Sequence, residues 1–403
     1  MLESSYITQA IATLQVLEQE EISDINSYIL KNPLKWDPEK LRILADQWNF
    51  KKKSKEKLGP WHAAFEGLIG PPKLSWEQAS SYWTSQWKAE HVHPGERWVD
   101  MTGGWGMDSL FFAKAGAQVT HCELQPILSD IVAFNARQMG IPLETFTGSS
   151  FDFLESTSEP IDVLYIDPAR RDAQKRKVVR LKDLTPNLSP HWELLLQRSN
   201  RILLKLSPMM DIQEIVSEIP NVRSITLLSV RNELKEVVVE ASRHGHEPIQ
   251  WKTVEFPAEG DPISFQYFPD KEDPGVTSYA EPRLYLYEPL VGILKLGAFH
   301  QIGAAWGLAK LHPNTHLYTS DDLKLDFPGR IFEVKASFRP KPDLVGKELG
   351  KPIPANILVR NYGENGEDLA KKWHLKAKDA IQFLIFTQTI AHKKGVFFAH
   401  RLK

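Results

Sequence analysis

Apolar residues along the first 93 positions recur at helical spacing. Stretches such as "AIATLQVLEQ" and "EKLRILADQWNF" place apolar residues three and four positions apart, without the alternation of a strand. The same character continues through "SWEQASSYWTSQWKAEHV". This pattern predicts a helical N-terminal domain over residues 1–93. The lysine-rich run at 51–57 is typical of a solvated loop or helix end, with a nucleic-acid contact as the alternative.

Between residues 94 and 245 short β-rich segments alternate with helical ones. The predicted strands include "RWVDM", "QVTHCEL", "IDVLYIDP", "RILLKLSP", "RSITLLSV" and "LKEVVVEA", and helices such as "ILSDIVAFNARQMG" lie between several of them. Alternation of this kind predicts a parallel sheet with helices on both faces. The last two strands are joined by only a few residues, so we expect that pair to be antiparallel.

The C-terminal part of the chain changes character twice. Residues 246–329 begin with a stretch rich in Pro, Gly and Asp, which indicates a boundary or an elaborated hairpin, and continue as an α+β pattern. Residues 330–403 combine predicted strands ("RIFEVKASF", "ANILVR", "AIQFLIFTQ", "GVFFAHRL") with one polar helix, "ENGEDLAKKWHL". We therefore expect four regions, 1–93, 94–245, 246–329 and 330–403.

Composition places the chain among folded globular proteins and limits its compartment. It has 403 residues, of which 42% are apolar and 25% charged. No apolar run approaches the roughly 18 to 20 residues of a membrane span, and the acidic start does not resemble a signal peptide. The single cysteine, Cys122, excludes an internal disulfide and is interpreted as a packed small side chain. The expected location is cytoplasmic, with no membrane partner.

Charge is unevenly distributed along the chain. The net charge is −2, yet residues 330–403 contain 15 Lys and Arg against 7 Asp and Glu, a balance of +8. A basic region of this kind indicates a polyanionic partner, with a solvated basic surface as the alternative.

Three glycines follow the first predicted strand in "VDMTGGWGMDSLFFA". Gly103, Gly104 and Gly106 permit a sharp turn and let a ligand approach main-chain atoms that a Cβ would shield. Asp100 ends this strand, and Glu123 ends the next one 23 residues later. Ligands of open α/β sheets bind outside the carboxyl ends of the strands, where a carboxylate can accept hydrogen bonds from ribose hydroxyls. The pattern predicts a nucleoside-containing ligand, the alternative being a structural turn without one.

The spacing of this loop disfavours a dinucleotide. A dinucleotide site has the pattern Gly-x-Gly-x-x-Gly, but reading from Gly104 the third glycine is replaced by Ser109. Asp108 stands at the start of the following helix, where its charge would repel a pyrophosphate. NAD is therefore not the expected ligand.

The acid-first order Asp-x-Thr-Gly-Gly-x-Gly-x-Asp resembles the first motif of class I S-adenosylmethionine (SAM) methyltransferases, and is similar to the variant found in some RNA methyltransferases. The resemblance implies an α/β fold with a Rossmann-like, seven-stranded core whose last strand is antiparallel, and SAM as the cofactor. It implies that the glycine loop holds the methionine portion of SAM and that Glu123 holds its ribose. The residues that it places in the cofactor site are Asp100, Thr102, Gly103, Gly104, Gly106, Asp108, Glu123, Leu124, Ser149, Ser150 and Asp167.

One acid of the family pattern is missing here. Class I methyltransferases usually have Gly-Asp after the third strand to contact the adenine amino group. The corresponding segment is "TGSSFDFL", with Ser149 in place of the acid. Ser149 and Ser150 are the candidates for this contact, and Asp152 is interpreted as an exposed helix residue.

The segment "IDVLYIDPARRD" carries the candidate catalytic residues Asp167, Pro168 and Arg170. Methyltransferases that modify nucleic acids often have Asp/Asn-Pro-Pro-aromatic at this place, where the ring stacks on a flipped base. The ring is absent here, and the Arg170 guanidinium is a candidate replacement because it can stack on bases and pair with phosphate. Asp167 is the expected hydrogen-bond and proton acceptor, since methyl transfer from SAM depends mainly on positioning.

A basic stretch follows this motif. Arg170 and Arg171 begin a run of Lys and Arg that we interpret as a guide for an anionic substrate, with a solvated loop as the alternative. No group of His, Cys and Asp has the spacing of a metal site, so no metal is expected.

The C-terminal half resembles a bacterial family of class I SAM-dependent methyltransferases with a ferredoxin-like segment followed by a THUMP-like domain. The resemblance rests on "YLYEPLVGILKLGAFHQIG", "THLYTS" and the tail from "PANILVRNYG" onward, with "EQASS" before the core. It implies an RNA substrate, tRNA in particular, and a partner surface on the basic tail. Lys335, Arg339, Lys371 and Lys372, with Arg170 and Arg171, are the predicted RNA contacts.

Three functions are compatible with the sequence. The first is a SAM-dependent methyltransferase of tRNA or rRNA. The second is a SAM-dependent methyltransferase of a small molecule or protein, whose tail only caps the active site. The third is a non-catalytic RNA-binding protein that retains the SAM fold.

Overall fold

The computed structural model describes residues 5–65, 67–170, 180–244, 248–377, 379–391 and 394–403. The predicted Arg171 contact lies outside these ranges. Contacts divide the chain into two compact units. The first comprises the residues up to Ile225 together with Lys235–Ile249, and the second comprises Thr226–Leu234 and Gln250–Lys403.

The first unit begins with five helices, as the helical periodicity predicts. They are α1 (Ser5–Gln19), α2 (Ile25–Lys31), α3 (Pro38–Leu58), α4 (Lys73–Gln78) and α5 (Tyr82–Ala89). Local signals set their starts: the Asp37 side chain caps α3, which has a proline at its first position, and Ser81 forms a capping box with Thr84 at the start of α5. The lysine run 51–57 lies in the last turns of α3.

A mixed sheet forms the centre of the first unit. Its strands include β1 (Arg97–Asp100), β2 (Gln118–Glu123), β3 (Glu144–Thr147), β4 (Ile161–Ile166), β7 (Ser199–Leu206), β8 (Val222–Val230) and β9 (Glu233–Ser242). A separate two-stranded ribbon is formed by β5 (Ala169–Arg170) and β6 (Leu184–Thr185). The intervening helices are α6 (Met107–Lys114), α7 (Pro126–Gln138), α8 (Ser150–Ser156), α9 (Trp192–Arg198) and α10 (Ile212–Glu218).

Strand order confirms the α/β prediction. The order is β3-β2-β1-β4-β7-β9-β8, and the sheet continues through β10 (Gln250–Phe256) to β11 (Ile263–Tyr267). The strands β3, β2, β1, β4 and β7 are parallel, whereas β9 pairs with β7 antiparallel, as expected for the last strand. β10 and β11 lie within residues 246–329, whose beginning the sequence indicated as a boundary or an elaborated hairpin.

The second unit contains a separate, mostly antiparallel sheet. Its elements are β12 (Tyr285–Pro289), α11 (Val291–Leu296), α12 (Gln301–Trp306), β13 (Ala309–His312), β14 (Thr315–Ser320), β15 (Gly329–Phe338), α13 (Pro342–Leu349), β16 (Asn356–Arg360), α14 (Gly366–Lys372), β17 (Gln382–Gln388) and β18 (Lys394–Arg401). The strand order is β13-β14-β12-β15-β18-β17-β16, in which only β16 and β17 are shown to pair parallel. Among the described helices of the whole chain, none has the length and apolar character needed to cross a membrane.

The tail differs from its sequence prediction in one element. A helix, α13, lies between β15 and β16, where the sequence predicted none, and the predicted polar helix is α14, after β16. The aromatic residues Phe383, Phe386 and Phe397 of β17 and β18 are buried in the core, and Phe398 is partly buried. Cys122 is likewise buried.

Candidate active site at the carboxyl ends of the parallel strands

The glycine loop lies where β1 ends and α6 begins. Gly104 and Gly106 have φ of +59° and +76°, a region that side chains rarely adopt. A Cβ added to Gly103 would lie 2.4 Å from the His121 ring, so that glycine is required by packing beneath the loop. A Cβ on Gly104 would meet only the Thr102 carbonyl oxygen, at 3.7 Å, and would otherwise project into open space. The loop therefore presents bare main chain at Gly104.

Asp100 organises the loop from below. Its carboxylate is 2% exposed and accepts hydrogen bonds from the Thr102 amide (3.0 Å) and the Ser109 hydroxyl (2.6 Å). Burial raises the pKa of Asp100 to about 7, although these two hydrogen bonds oppose the shift. The Ser109 hydroxyl also lies 3.0 Å from Nδ1 of the buried His121, whose pKa burial lowers to about 4. The carboxylate is thus engaged with the loop itself.

Glu123 fixes the loop from the neighbouring strand. Its two carboxylate oxygens accept hydrogen bonds from the main-chain amides of Gly104 (2.7 Å) and Gln125 (2.8 Å). Each carboxylate oxygen has two lone-pair sites, so one site on each oxygen is left after these bonds. This arrangement fits a group with two adjacent hydroxyls, such as a ribose.

Asp167 stands beside the glycine loop at the end of β4. Its main-chain amide donates to the Thr102 hydroxyl (2.6 Å), which joins the β4 end to the loop. Its side chain is 35% exposed and forms an ion pair with Lys205 of β7. Pro168 directly after it is buried. The structure therefore brings Thr102 and Asp167 together, next to Pro168, and adds Lys205.

Asp108 lies in a closed network of protein side chains. It is buried and accepts hydrogen bonds from the hydroxyls of Ser80 (2.7 Å), Ser85 (2.6 Å) and Tyr165 (2.6 Å). The ammonium of Lys88 lies 2.9 Å from it. Burial alone would raise the pKa of Asp108, but the nearby lysines and hydrogen bonds outweigh it and lower the pKa to about 2. These groups already surround the Asp108 carboxylate. Its predicted contact with the cofactor stays a prediction.

Lys88 connects this network to the last strand. It is 0% exposed, and its ammonium also contacts Glu236 of β9 (2.8 Å) and the Ser80 hydroxyl (2.9 Å). Glu236 in turn accepts a hydrogen bond from the Thr84 hydroxyl (2.7 Å). Helix α5 is therefore joined to α6 and β9 through buried charges.

Three further predicted cofactor-site residues lie at the start of α8 and directly after β2. Ser149 precedes α8 and makes no capping hydrogen bond with its side chain, while Ser150 is buried. Leu124 is 68% exposed, an unusual position for an apolar side chain directly after a sheet strand. These three assignments stay predictions.

The predicted RNA contacts other than Arg170 and Arg171 belong to the second unit. Lys335 on β15 pairs with Glu333 (2.5 Å), and Lys372 on α14 pairs with Glu364 (3.0 Å). Lys371 and Arg339 are exposed. The Arg170 main chain lies in β5, which pairs antiparallel with β6. The charge of this region is partly compensated by its own carboxylates.

Four residues of the site were not recognised in the sequence: the buried Lys88, Ser109 and Glu236, and the partly buried Lys205. Lys205 left one signal, because it interrupts the apolar strand "RILLKL" near its end. Lys88 and Glu236 are 148 residues apart in the chain, and no local spacing connects them.

Known structures and sequence families resemble the chain to different extents. A family model described as a ferredoxin-like domain matches residues 285–328. No curated protein sequence matches the chain. Two solved structures resemble the chain too weakly to support an argument. An rRNA methylase from Streptococcus thermophilus is 15% identical, with a TM-score of 0.30, and the match covers 40% of this chain and 95% of that one. TrmK from M. capricolum, in complex with S-adenosyl-homocysteine, is 9% identical, with a TM-score of 0.32, and the match covers 40% of this chain and 69% of that one.

A full-length match shows the fold. A crystal structure from Porphyromonas gingivalis W83, of a protein provisionally assigned as a methyltransferase, is 27% identical to this chain and has a TM-score of 0.86. The match covers 100% of both chains. This chain therefore shares the fold of that protein along its whole length.

Proposed function

We propose that the protein is a SAM-dependent methyltransferase that acts on RNA. One observation carries the cofactor assignment: the main chain at Gly104 is open to a ligand, and the Glu123 carboxylate lies beside it. The Gly104 amide donates a hydrogen bond of 2.7 Å to Glu123 Oε2. The site follows the first strand of a sheet whose last core strand is antiparallel. The resemblance of the P. gingivalis protein, itself assigned provisionally to methyltransferases, agrees with this proposal.

The residues present fit SAM at the carboxyl ends of β1 and β2. The glycine loop would receive the methionine portion at Gly104, and Glu123 would accept from the ribose hydroxyls with its remaining lone pairs. When bound, SAM supplies an already activated methyl group, so the protein needs mainly to position the acceptor. Asp167 is partly exposed beside the loop and can accept a hydrogen bond from the group to be methylated.

The RNA assignment rests on charge and on the C-terminal resemblance. The +8 balance of residues 330–403 would favour a polyanion. The altered motif Asp167-Pro168-Ala169-Arg170 leaves the methylated atom open. A protein that binds SAM but not RNA would instead be a methyltransferase of another substrate.

The cofactor assignment is tested by a glycine pair matched in backbone geometry. Gly104 and Gly140 have φ of +59° and +64°, and neither would place a Cβ in close contact with other atoms. Alanine at either position therefore carries similar backbone strain, but only Gly104→Ala would project into the cofactor. We expect Gly104→Ala to weaken SAM and S-adenosylhomocysteine binding by about 100-fold or more, an amount worth roughly 3 kcal/mol, and Gly140→Ala to leave it unchanged, as measured by titration calorimetry.

Two results would contradict the proposal. Equal loss in both variants would mean that backbone strain, and not the ligand site, is responsible. Binding of a pyridine dinucleotide in place of SAM would overturn the cofactor assignment.

Transfer of tritiated methyl groups to bulk RNA from a strain lacking the gene tests the substrate, and RNA binding should weaken steeply with added salt.

A further inference from the structure

Lys205 lies beside Asp167 because of strand register. β4 and β7 are parallel, with Ile166 opposite Leu204, so the next residues along the two strands are Asp167 and Lys205. A lysine at the penultimate position of an apolar strand must place its ammonium at the carboxyl edge of the sheet or leave it unpaired in the core. Here it reaches the Asp167 carboxylate.

The contact fixes one side of that carboxylate. The Lys205 ammonium donates to Oδ2 of Asp167, and the Lys205 side chain is only 11% exposed. The Asp167 main chain is held independently by its bond to the Thr102 hydroxyl. Within the part of the chain that the structure describes, no hydrogen bond is formed to the other oxygen, Oδ1. The 35% exposure of this side chain leaves it accessible from solvent.

The surrounding charges explain why the ammonium is needed. The titratable groups that act on Asp167 or Lys205 from the neighbouring elements are Lys57, Lys88, Asp100, Asp108, Tyr165 and Glu236. Burial and the Asp108 charge raise the pKa of Asp167, while Lys205 opposes them. Burial would lower the pKa of Lys205, but the carboxylates outweigh it and raise it well above its ordinary value. Lys205 therefore stays charged and cannot serve as a general base.

We propose that Lys205 is a positioning residue for Asp167: it occupies Oδ2 and thereby leaves Oδ1 as the oxygen that accepts from the methyl-accepting group. This inference rests on the proposed methyltransferase function. The Asp-Pro-Pro-aromatic motif of other nucleic-acid methyltransferases is incomplete here, because no aromatic ring follows Pro168. In this protein the Lys205–Asp167 ion pair would orient the acceptor carboxylate instead. Lys205 itself contacts neither cofactor nor substrate in this role.

The decisive measurement follows the Asp167 carboxylate directly. In protein labelled with 13C at the aspartate carboxyl carbons, the Asp167 signal is identified by its absence in Asp167→Asn. We expect the Asp167 carboxylate to titrate alike in the wild type and in Lys205→Arg, and its pKa to rise by about one to three units in Lys205→Met, because the carboxylate loses its counter-ion. Lys235→Met, which removes an exposed lysine of β9, should titrate as the wild type does.

Turnover provides the second readout. Lys205→Met should lower kcat for RNA methylation by roughly 100-fold near pH 7, recover as the pH rises, and change KM by less than about threefold, since only positioning in the transition state is lost. Lys205→Arg should restore most of the rate. The double variant Asp167→Asn/Lys205→Met removes both charges, so it tests folding without leaving an unpaired ion, as followed by urea denaturation.

The outcomes distinguish a failure of the Lys205 positioning role from a failure of the proposed RNA methyltransferase function. An unchanged Asp167 titration in Lys205→Met, or an equal loss in Lys205→Arg and Lys205→Met, would overturn the positioning role. If wild-type protein does not methylate RNA while the carboxylate titrates as expected, the RNA substrate is wrong and the Lys205–Asp167 pairing is supported.

Discussion

Two buried carboxylates frame the glycine loop, and they differ in one respect. Asp100, before the loop, accepts hydrogen bonds from Thr102 and Ser109. Asp108, after it, accepts hydrogen bonds from three hydroxyls and in addition contacts the Lys88 ammonium at 2.9 Å. The pKa is raised to about 7 at Asp100 and lowered to about 2 at Asp108.

The difference shows what hydrogen bonds alone can do in this core. Neutral donors partly offset the loss of hydration at Asp100, but an ammonium is needed to keep a buried carboxylate ionised at neutral pH. At Asp167 the Lys205 ammonium acts in the same direction, because it opposes the rise in pKa that burial causes. The loop is thus held by one closed ionic cluster on the α6 side and by hydrogen bonds on the β1 side.

The largest effect is expected when the cation of the closed cluster is removed. Lys88→Met would leave Asp108 and Glu236 buried without a counter-ion, and we expect the free energy of unfolding to fall by about 3 to 5 kcal/mol, as measured by urea denaturation. Lys73→Met is the control, because Lys73 pairs with Glu77 at the surface (3.8 Å), where an ion pair is worth about 0 to 1 kcal/mol. A loss below about 1 kcal/mol in Lys88→Met would break the comparison, because so small a loss is typical of an exposed pair.

The two carboxylates should give pH dependences of opposite sign. The folded-state pKa of Asp100 lies above its ordinary value of 3.8, so its contribution to stability is complete below about pH 4 and is lost as the pH rises toward 7. That of Asp108 lies below 3.8, so its contribution is present above that pH and is lost as the pH falls toward 2.

Unfolding measured from pH 4 to 7 tests this difference. Relative to Asp100→Asn, the wild type should lose about 2 to 4 kcal/mol across the window, since one pKa unit corresponds to about 1.4 kcal/mol. Asp108→Asn should remove no such slope between pH 4 and 7. Parallel curves for the wild type and Asp100→Asn would mean that Asp100 is ionised in the folded protein at pH 4.

The smallest effect is expected from a single hydroxyl. Ser109→Ala removes one donor to Asp100, which should cost about 1 to 2 kcal/mol in urea denaturation at pH 7, where the carboxylate is partly ionised. The cost should shrink at pH 5, because a protonated Asp100 depends less on that donor. Ser156→Ala is a suitable control, since its hydroxyl bonds only the Phe153 carbonyl in an exposed part of α8. A cost that does not change with pH would indicate a packing role for Ser109.

Local patterns in the sequence predicted the sheet and the loop because both depend on short-range features. The alternation of strands and helices, the glycines at 103, 104 and 106, and the acids that end β1 and β2 are all visible within about thirty residues. The antiparallel last strand followed from a two-residue connection. At Arg231 and Asn232 this connection has positive φ, as tight hairpin turns require.

The parts that could not be predicted depend on distant contacts. The Lys88–Glu236 pair spans 148 positions, and nothing in the spacing around either residue indicates a buried ion. Within the predicted α+β pattern, α11 and α12 are separate helices, because Gly297 adopts φ of +80° at the end of α11. His316 stacks on Phe299, and its buried Nδ1 forms no hydrogen bond within the described structure.

The aromatic and ionic contacts of the N-terminal helices affect how the protein can be divided for study. Trp61 stacks on Phe111 of α6 at 3.8 Å, Phe50 of α3 packs edge-on against Trp105 inside the glycine loop, and Lys88 of α5 neutralises two carboxylates. A shortened fragment starting at residue 94 would expose Phe111 and Trp105 to water and would remove the Lys88 ammonium from Asp108 and Glu236. Expression of the cofactor-binding half alone should therefore yield aggregated protein unless the preceding helices are retained.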